Sequence, residues 1–185
     1  MAKNKRDIDR QLKQDEIEEA ACQLFLRQGY DATSMASIAT SAGVAPNTLY
    51  WYFANKDEVL IAVLNRLVKQ ALTVHAGLHD QPMSAQILWL LKEFDQASKL
   101  VMTVHGRLEH SPVIRAWHEQ FHQMLDGLLI AQLTAQGMAP EQASVMATVG
   151  TYVVEGLLSH PHSLQERETV VTWLTGAGSR PAVNA

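Results

Sequence analysis

Apolar residues recur with helical spacing along most of this chain. The first such stretch places its apolar side chains at i, i+3, i+4, i+7 and i+8, which makes one stripe on a helix surface: Ile17, Ala20, Ala21, Leu24 and Phe25. Gly29 follows, where a residue in the left-handed conformation can end the helix. The pattern therefore predicts a first amphipathic helix that ends just before Gly29.

A second long stripe begins at Val59 and predicts a helix from Lys56 to about Leu78. Asn55 stands at its N-cap position and Glu58 three residues later, which is the pattern of a capping box. Further stripes predict helices that begin near Ser84, at Pro112, at Pro140 and shortly before Val170. No stretch alternates with the period of two that strands require, so the sequence predicts an all-α fold.

Two short helices around a glycine turn are predicted between the first and second long stripes. Thr33 and Ser34 offer hydroxyl groups for helix capping. Gly43 can adopt the positive φ of a tight turn. Pro46 suits the first turn of a second helix, where its missing N–H costs nothing. A helix, a glycine turn and a second helix make up a helix-turn-helix, here at about residues 34–53.

The second of these short helices has two inward positions, Leu49 and Phe53, which are four residues apart. The remaining side chains are predicted to face outward: Asn47, Thr48, Tyr50, Trp51 and, less clearly, Tyr52. Packing beneath the first helix is the alternative for Tyr50 and Trp51. Asn47 carries the one amide in this group that can read a base edge, for example N6 and N7 of adenine.

The charge distribution supports contact with nucleic acid. The chain has 15 Lys and Arg against 19 Asp and Glu, for a formal charge of −4, yet no acidic residue lies between Ala32 and Lys56. A surface that approaches phosphates avoids carboxylates because each one adds repulsion. The first 14 residues carry five basic and two acidic side chains. This segment is either an arm that follows a DNA groove or a solvated terminus.

The composition restricts the cellular compartments in which we expect this protein. No run of 18 uninterrupted apolar residues is present, so we expect no membrane-spanning helix and no membrane partner. No apolar segment follows the first charged residues, so we do not expect secretion. The single cysteine, Cys22, excludes an intramolecular disulfide and suits a reducing compartment. We therefore expect a cytoplasmic protein, and nothing in the sequence indicates a cofactor.

The same residues resemble the tetracycline-repressor (TetR/AcrR) family of transcriptional regulators. The resemblance covers about residues 13–72, without gaps in spacing. It is carried by two motifs: Ile17-x2-Ala20-Ala21-x2-Leu24-Phe25-x3-Gly29-Tyr30-x2-Thr33-Ser34-Met35-x2-Ile38-Ala39, and Ala42-Gly43-Val44-x3-Thr48-Leu49-Tyr50-x-Tyr52-Phe53-x-Asn55-Lys56-Asp57-Glu58. The resemblance implies a one-component regulator, usually a repressor, that binds a palindromic operator in double-stranded DNA as a homodimer and is released by a small effector.

Carried over position by position, the resemblance also implies roles in DNA binding. Residues aligned with phosphate contacts are Thr33, Thr48, Tyr52 and Lys56, and Ser34 begins the helix-turn-helix. Residues aligned with the groove-facing start of the recognition helix are Ala45, Pro46 and Asn47. Tyr50 and Trp51 lie where sugar-phosphate or thymine methyl groups are touched. The recognition helix lacks Arg and Lys, so DNA shape or apolar contact is expected to contribute to specificity.

The resemblance implies a DNA-binding domain at residues 13–60 and a helical regulatory and dimerisation domain at residues 61–176, joined by a long helix. The ends, residues 1–12 and 177–185, are predicted to be flexible. Small residues on one side of the helix from Pro140 would let a second helix approach, within the chain or across a dimer: Ala143, Ala147 and Gly150. Candidate effector-binding residues, each with core packing as the alternative, are Trp89, Phe94, His105, Trp117, Phe121, Met124 and Tyr152.

Two other classes of function stay open at this point. Residues 118–122 read His-Glu-Gln-Phe-His, which matches the zinc-protease pattern H-E-x-x-H. A peptidase needs a third ligand, and no strand is predicted to hold its substrate, so we expect no enzyme. His118 and His122 remain weak candidates for a regulatory metal. The last alternative is a helical interaction module in which the helix-turn-helix serves only for packing.

Overall fold

The computed structural model describes the backbone of residues 5–176 and the side chains of residues 9–176. Regular structure in this part of the chain is entirely α-helical, which confirms the predicted fold class. Its nine helices are α1 (Lys5–Gln28), α2 (Met35–Ser41), α3 (Pro46–Tyr52), α4 (Lys56–Ala76), α5 (Met83–Gln96), α6 (Ser98–Arg107), α7 (Pro112–Ala135), α8 (Pro140–Ser159) and α9 (Leu164–Leu174).

Helix α1 begins well before its apolar stripe. Residues 5–12, predicted as part of a flexible terminus, are helical. A pair of polar side chains one turn apart supports this extension, since Gln11 donates to Asp15 at 3.0 Å. Such pairs stabilise a helix without any apolar periodicity, so the prediction did not detect them. Residues 1–4 and 177–185 lie outside the described residues.

Helix α6 was missed in the sequence. Only two of its side chains are buried, Leu100 and Val104, and they are four residues apart. Its N-cap residue, Ala97, forms no side-chain hydrogen bond, so the usual capping signal is absent. Two apolar positions without a cap are too few to define a stripe.

The chain divides into two compact units, and the first comprises residues 5–72 and 97–118. Its core is built by α1, α2, α3 and α4 and is completed by Leu100, Val104 and Ile114 from α6 and α7. The largest fully buried side chains in this unit include Phe25 and Ile17. Helices that the sequence assigned to the regulatory domain therefore pack with the helix-turn-helix, because their apolar side chains fill the same core.

The second unit comprises residues 73–96 and 119–176. Within it α5 packs against α8 and α9, and Arg167 of α9 forms an ion pair with Asp95 of α5. The small residues Ala143, Ala147 and Gly150 are buried inside this unit. A Cβ added to Gly150 would lie 3.4 Å from a Leu129 methyl group of α7. The small-residue side of α8 thus serves packing within the chain, which was one of the two alternatives.

Helix α4 is the one described helix long and apolar enough, by length and composition, to cross a membrane. Its apolar side chains have another role in this structure. Val59, Leu60, Val63 and Leu64 are buried in the core of the first unit. Between them and Ala76 the helix also carries Arg66, which pairs with Glu19 of α1. These contacts are those of a core helix in a folded domain.

Candidate nucleic-acid interface

Local chemistry fixes the start of α2. Ser34 is its N-cap, and the Ser34 hydroxyl accepts from the backbone N–H of Ser37 at 3.0 Å. The Ser37 hydroxyl in turn accepts from the Ser34 N–H, also at 3.0 Å. This reciprocal capping satisfies two N–H groups that a helix start leaves unpaired. The predicted cap at Ser34 is confirmed.

The turn between α2 and α3 depends on Gly43, whose φ is +64°. A side chain in this left-handed conformation is strained, so glycine is the suitable residue. Val44 then bonds back to the carbonyl of Ala39 at 2.9 Å. Pro46 occupies the first position of α3, after the extended residue Ala45. Both turn predictions, the positive φ and the proline start, are confirmed.

Helix α3 buries one side and exposes the other. Leu49 is fully buried, and Phe53, directly after the helix, is buried as well. The exposed side chains form what we call the outer face of α3: Asn47, Thr48, Tyr50 and Trp51. Tyr50 is 54% exposed and Trp51 64%, so neither ring packs beneath α1. Tyr52 is half-buried, and its ring meets that of Trp51 edge to face at 5.1 Å.

Thr33 and Lys56 hold the loop between α1 and α2. Thr33 is fully buried, and its hydroxyl donates to the Gly29 carbonyl at 2.8 Å. The Lys56 ammonium donates to the carbonyls of Tyr30 and Thr33, both at 2.9 Å. Burial lowers the pKa of Lys56 below its ordinary value. Two of the three ammonium N–H groups are thus donated to protein carbonyls.

A polar cluster anchors this loop to α4 and α6. The Tyr30 hydroxyl donates to one oxygen of Asp57, and the Arg107 guanidinium donates to the other at 2.9 Å. Lys56 and Arg107 both lie over the Tyr30 ring, 4.0 and 4.9 Å from its centroid. We call Tyr30, Lys56, Asp57 and Arg107 the anchor cluster. It joins three segments of the first unit at the base of the helix-turn-helix.

Contacts within the anchor cluster shift the pKa values of its own side chains. Burial alone would raise the pKa of Asp57, but hydrogen bonds from Arg107, Tyr30 and Ser111 and the charge of Arg107 outweigh it, so the pKa lies below its ordinary value. Burial and the bond to Asp57 raise the pKa of Tyr30. Asp57, the first acidic residue after the acid-free segment, is therefore ionised and neutralised by Arg107.

Comparison with known proteins points to the same family that the sequence motifs resemble. Residues 17–63 match the family model for bacterial regulatory proteins of the tetR family. The chain is 26% identical over 187 aligned positions to the HTH-type transcriptional regulator BetI of Brucella canis, which covers 81% of this chain and 94% of that protein. The chain therefore resembles the TetR/AcrR family, and the family model locates that resemblance at residues 17–63.

The similarity within the family is uneven along the chain. The first curated relatives are 36–42% identical, but the chain matches only 25–28% of their length. Solved structures share the fold across nearly the whole chain. A transcriptional regulator from Aquifex aeolicus VF5 is 17% identical with a TM-score of 0.64, covering 86% of this chain and 95% of that one. The multidrug binding protein EbrR, complexed with imidazole, is 20% identical with a TM-score of 0.60, covering 91% and 96%.

The candidate effector-binding residues are divided between the two units. Two lie in the first unit, where His105 is exposed and the Trp117 indole donates to Asn65 at 2.7 Å. The other five lie in the second unit: Trp89, Phe94, Phe121, Met124 and Tyr152. Of these, Phe94 and Phe121 meet edge to face at 6.2 Å. The Trp89 ring instead lies tilted against that of His75, with 6.1 Å between the ring centroids, while Met124 is half-buried and Tyr152 is 69% exposed.

The two histidines of the H-E-x-x-H match have separate neighbours. The His118 ring meets the His105 ring edge to face at 5.2 Å, within the first unit. The His122 Nε2 lies 3.3 Å from a carboxylate oxygen of Glu155, within the second. These contacts are those of histidines that pack with the side chains around them. A metal role for His118 or His122 stays a prediction.

Proposed function

We propose that this chain is a transcriptional repressor that binds a palindromic operator as a homodimer and is released by a small effector. The observation that carries the proposal is the outer face of α3. It exposes an amide, a hydroxyl and two aromatic rings, and the surrounding 24 residues between Asp31 and Lys56 contain no acid. Such a face suits insertion into the major groove. We place the protein in the cytoplasm, bound to chromosomal DNA.

Within this proposal the predicted contact residues act in different ways. Asn47 reads base edges, and Thr48, Tyr50 and Trp51 contact sugar-phosphate or thymine methyl groups. Thr33 has a buried side chain and acts by holding the loop. Lys56 both holds the loop and contacts a phosphate. Its third ammonium N–H would meet that phosphate at the start of α4, where the helix dipole favours an anion. Ala45 and Pro46 set the approach of α3 to the groove, and Ser34 fixes α2.

Dimerisation is supported by an exposed apolar face on α8. Val145, Val149 and Tyr152 are 65%, 42% and 69% exposed, and their spacing places them within about 60° of one another around the helix. They lie opposite the buried small residues Ala143 and Ala147. A second copy of the chain, related by a two-fold axis, would cover this face and pair two recognition helices about one DNA turn, roughly 34–36 Å, apart.

Effector release is proposed as a population shift. The effector would favour a dimer whose recognition helices are wrongly spaced for one face of the duplex, and α4 would transmit the change. Its effect on operator affinity cannot exceed its preference between the two states. The edge-to-face pair of Phe94 and Phe121 supports an apolar effector contact in the second unit. A thermal-shift screen for small molecules, followed by label distances between recognition helices, tests this part.

Selection of bound sites from random duplex DNA tests the DNA-binding proposal. We expect recovered sites to contain two inverted half-sites about one helical turn apart. The helical interaction module predicts instead that no duplex is retained, even in dilute buffer. Retention of DNA without any half-site symmetry would contradict the homodimer but not the DNA interface.

Replacing Asn47 by alanine is expected to change which bases are preferred. A bidentate amide contact discriminates by about 1–3 kcal/mol, so affinity for the selected site should fall by roughly tenfold or more while affinity for unrelated DNA stays unchanged. Fluorescence anisotropy with both duplexes measures the two affinities. Gln70→Ala, which removes an exposed amide from α4, is the matched control. Equal losses on both duplexes would show that Asn47 reads no base.

A further inference from the structure

Helix α1 brings a positive charge to the outer face of α3. The guanidinium carbon of Arg10 lies 4.7 Å from the ring centroid of Trp51. Arg10 belongs to the helical extension that precedes the apolar stripe of α1, and its side chain is exposed. Trp51 is itself 64% exposed and lies one helical turn after Asn47. The pair therefore sits at the edge of the surface that we propose to face DNA.

This charge matters because the helix-turn-helix has none of its own. Neither Lys nor Arg occurs between Ala32 and Asn55, and the next basic residue, Lys56, gives two of its three N–H groups to protein carbonyls. Contacts between basic side chains and phosphates supply most of the sequence-independent affinity for a duplex. A neutral recognition helix needs that positive charge from another element.

The contact with Trp51 is compatible with anion binding by the Arg10 guanidinium. A guanidinium that stacks on an aromatic ring uses its flat face, whereas its five N–H donors lie in the plane of the group. The indole also limits the rotamers of a long side chain, so less conformational entropy is lost when Arg10 meets an anion. Two phosphate oxygens match this fork of donors.

Resting on the proposed DNA binding, we propose that Arg10 is a phosphate-contacting residue of this regulator and that Trp51 positions it. The basic part of α1 thereby becomes part of the interface, and Trp51 acts as a platform for the guanidinium rather than only as a surface for thymine methyl groups. The proposal predicts that the two residues act as a unit.

The test compares Arg10→Gln with the full-length parent on the selected duplex and on an unrelated duplex of equal length. We expect affinity to fall on the order of tenfold for both, because a charge-assisted bond is lost without any base contact. The slope of log affinity against log salt should become shallower by about one per protomer. Lys13→Gln is the matched control, since it removes one charge from the same helix at a residue that pairs with Glu16.

Trp51→Phe and the double variant test the positioning role. If Trp51 holds Arg10, Arg10→Gln should reduce DNA affinity much less in a Trp51→Leu background than in the parent. In a Trp51→Phe background, which keeps an aromatic ring, Arg10→Gln should retain most of its effect on affinity. Tryptophan emission gives a readout without DNA, because Arg10→Gln should change it in the parent and leave it unchanged when Trp51 is phenylalanine.

Each outcome separates this inference from the wider proposal. A parent that binds no duplex overturns the proposed function itself. A parent that binds while Arg10→Gln keeps its affinity and salt slope overturns the role of Arg10 alone. An equal effect from Lys13→Gln shows that only net charge matters, and a loss confined to the selected duplex shows base contact; either result overturns the phosphate assignment. Additive effects of the two substitutions overturn the positioning role of Trp51.

Discussion

Replacing Asp57 by alanine is expected to destabilise the first unit by about 2–4 kcal/mol at neutral pH, because it leaves the partly buried guanidinium of Arg107 without its counter-charge. The Asp57 side chain is 16% exposed and that of Arg107 32%, so solvent screens the pair only in part. The substitution also removes the acceptor of the Tyr30 hydroxyl and a favourable charge from the first turn of α4.

The stability that Asp57→Ala loses relative to the parent should become smaller as the pH falls. The folded-state pKa of Asp57 lies below its ordinary value, so its ionised form stabilises the fold above the unfolded-state pKa. That stabilisation disappears as the pH falls through the folded-state value. Urea unfolding at pH 7 and at progressively lower pH should therefore show the parent and Asp57→Ala converging in acid.

Two further variants show whether the anchor cluster is responsible. Asp57→Asn keeps the shape and can still accept from Arg107 and Tyr30, so its cost should be intermediate. Glu168→Ala removes a carboxylate from an exposed position of α9, in the second unit, and should change stability by no more than about 0.5 kcal/mol. Equal stabilities for Asp57→Ala and the parent at neutral pH would mean that the cluster does not anchor the helix-turn-helix.

The elements that could be predicted from sequence are those set by local chemistry. Ser34 caps α2, Gly43 takes a positive φ and Pro46 begins α3, because each preference arises within a few residues of backbone. Gly29 and Gly137 end α1 and α7 for the same reason, with φ of +86° and +93°. Local signals of this kind are sufficient to predict the helix-turn-helix without any tertiary contact.

Partners far apart in the chain could not be predicted in this way. An apolar stripe shows which side of a helix is buried but not what covers it, so the small residues of α8 left two alternatives until Leu129 was seen beside Gly150. Arg107 meets Asp57 across 50 positions, and no periodicity connects them. The family motif marked Lys56 and Thr33 as DNA contacts, whereas their bonds within the loop appear only in three dimensions.

The second large effect is expected at the exposed apolar face of α8. Val149→Glu should convert the proposed homodimer to a monomer, because a carboxylate at the centre of the face would be buried without a partner. A monomer engages one half-site and loses the gain from binding both at once. Affinity for the palindromic duplex should then fall by about a hundredfold or more, with little change for a single half-site.

Light scattering on the eluting protein gives the oligomeric state, and anisotropy with full and half sites gives the affinities. Ser144→Glu provides the matched control, since it adds the same charge to an exposed position of α8 about 100° from Val145 and so away from the apolar face. Helical content by circular dichroism should be the same in both variants. If Val149→Glu stays dimeric and binds the palindrome as the parent does, α8 does not pair the subunits through this face, and Tyr152 becomes available again for the effector role that the sequence suggested.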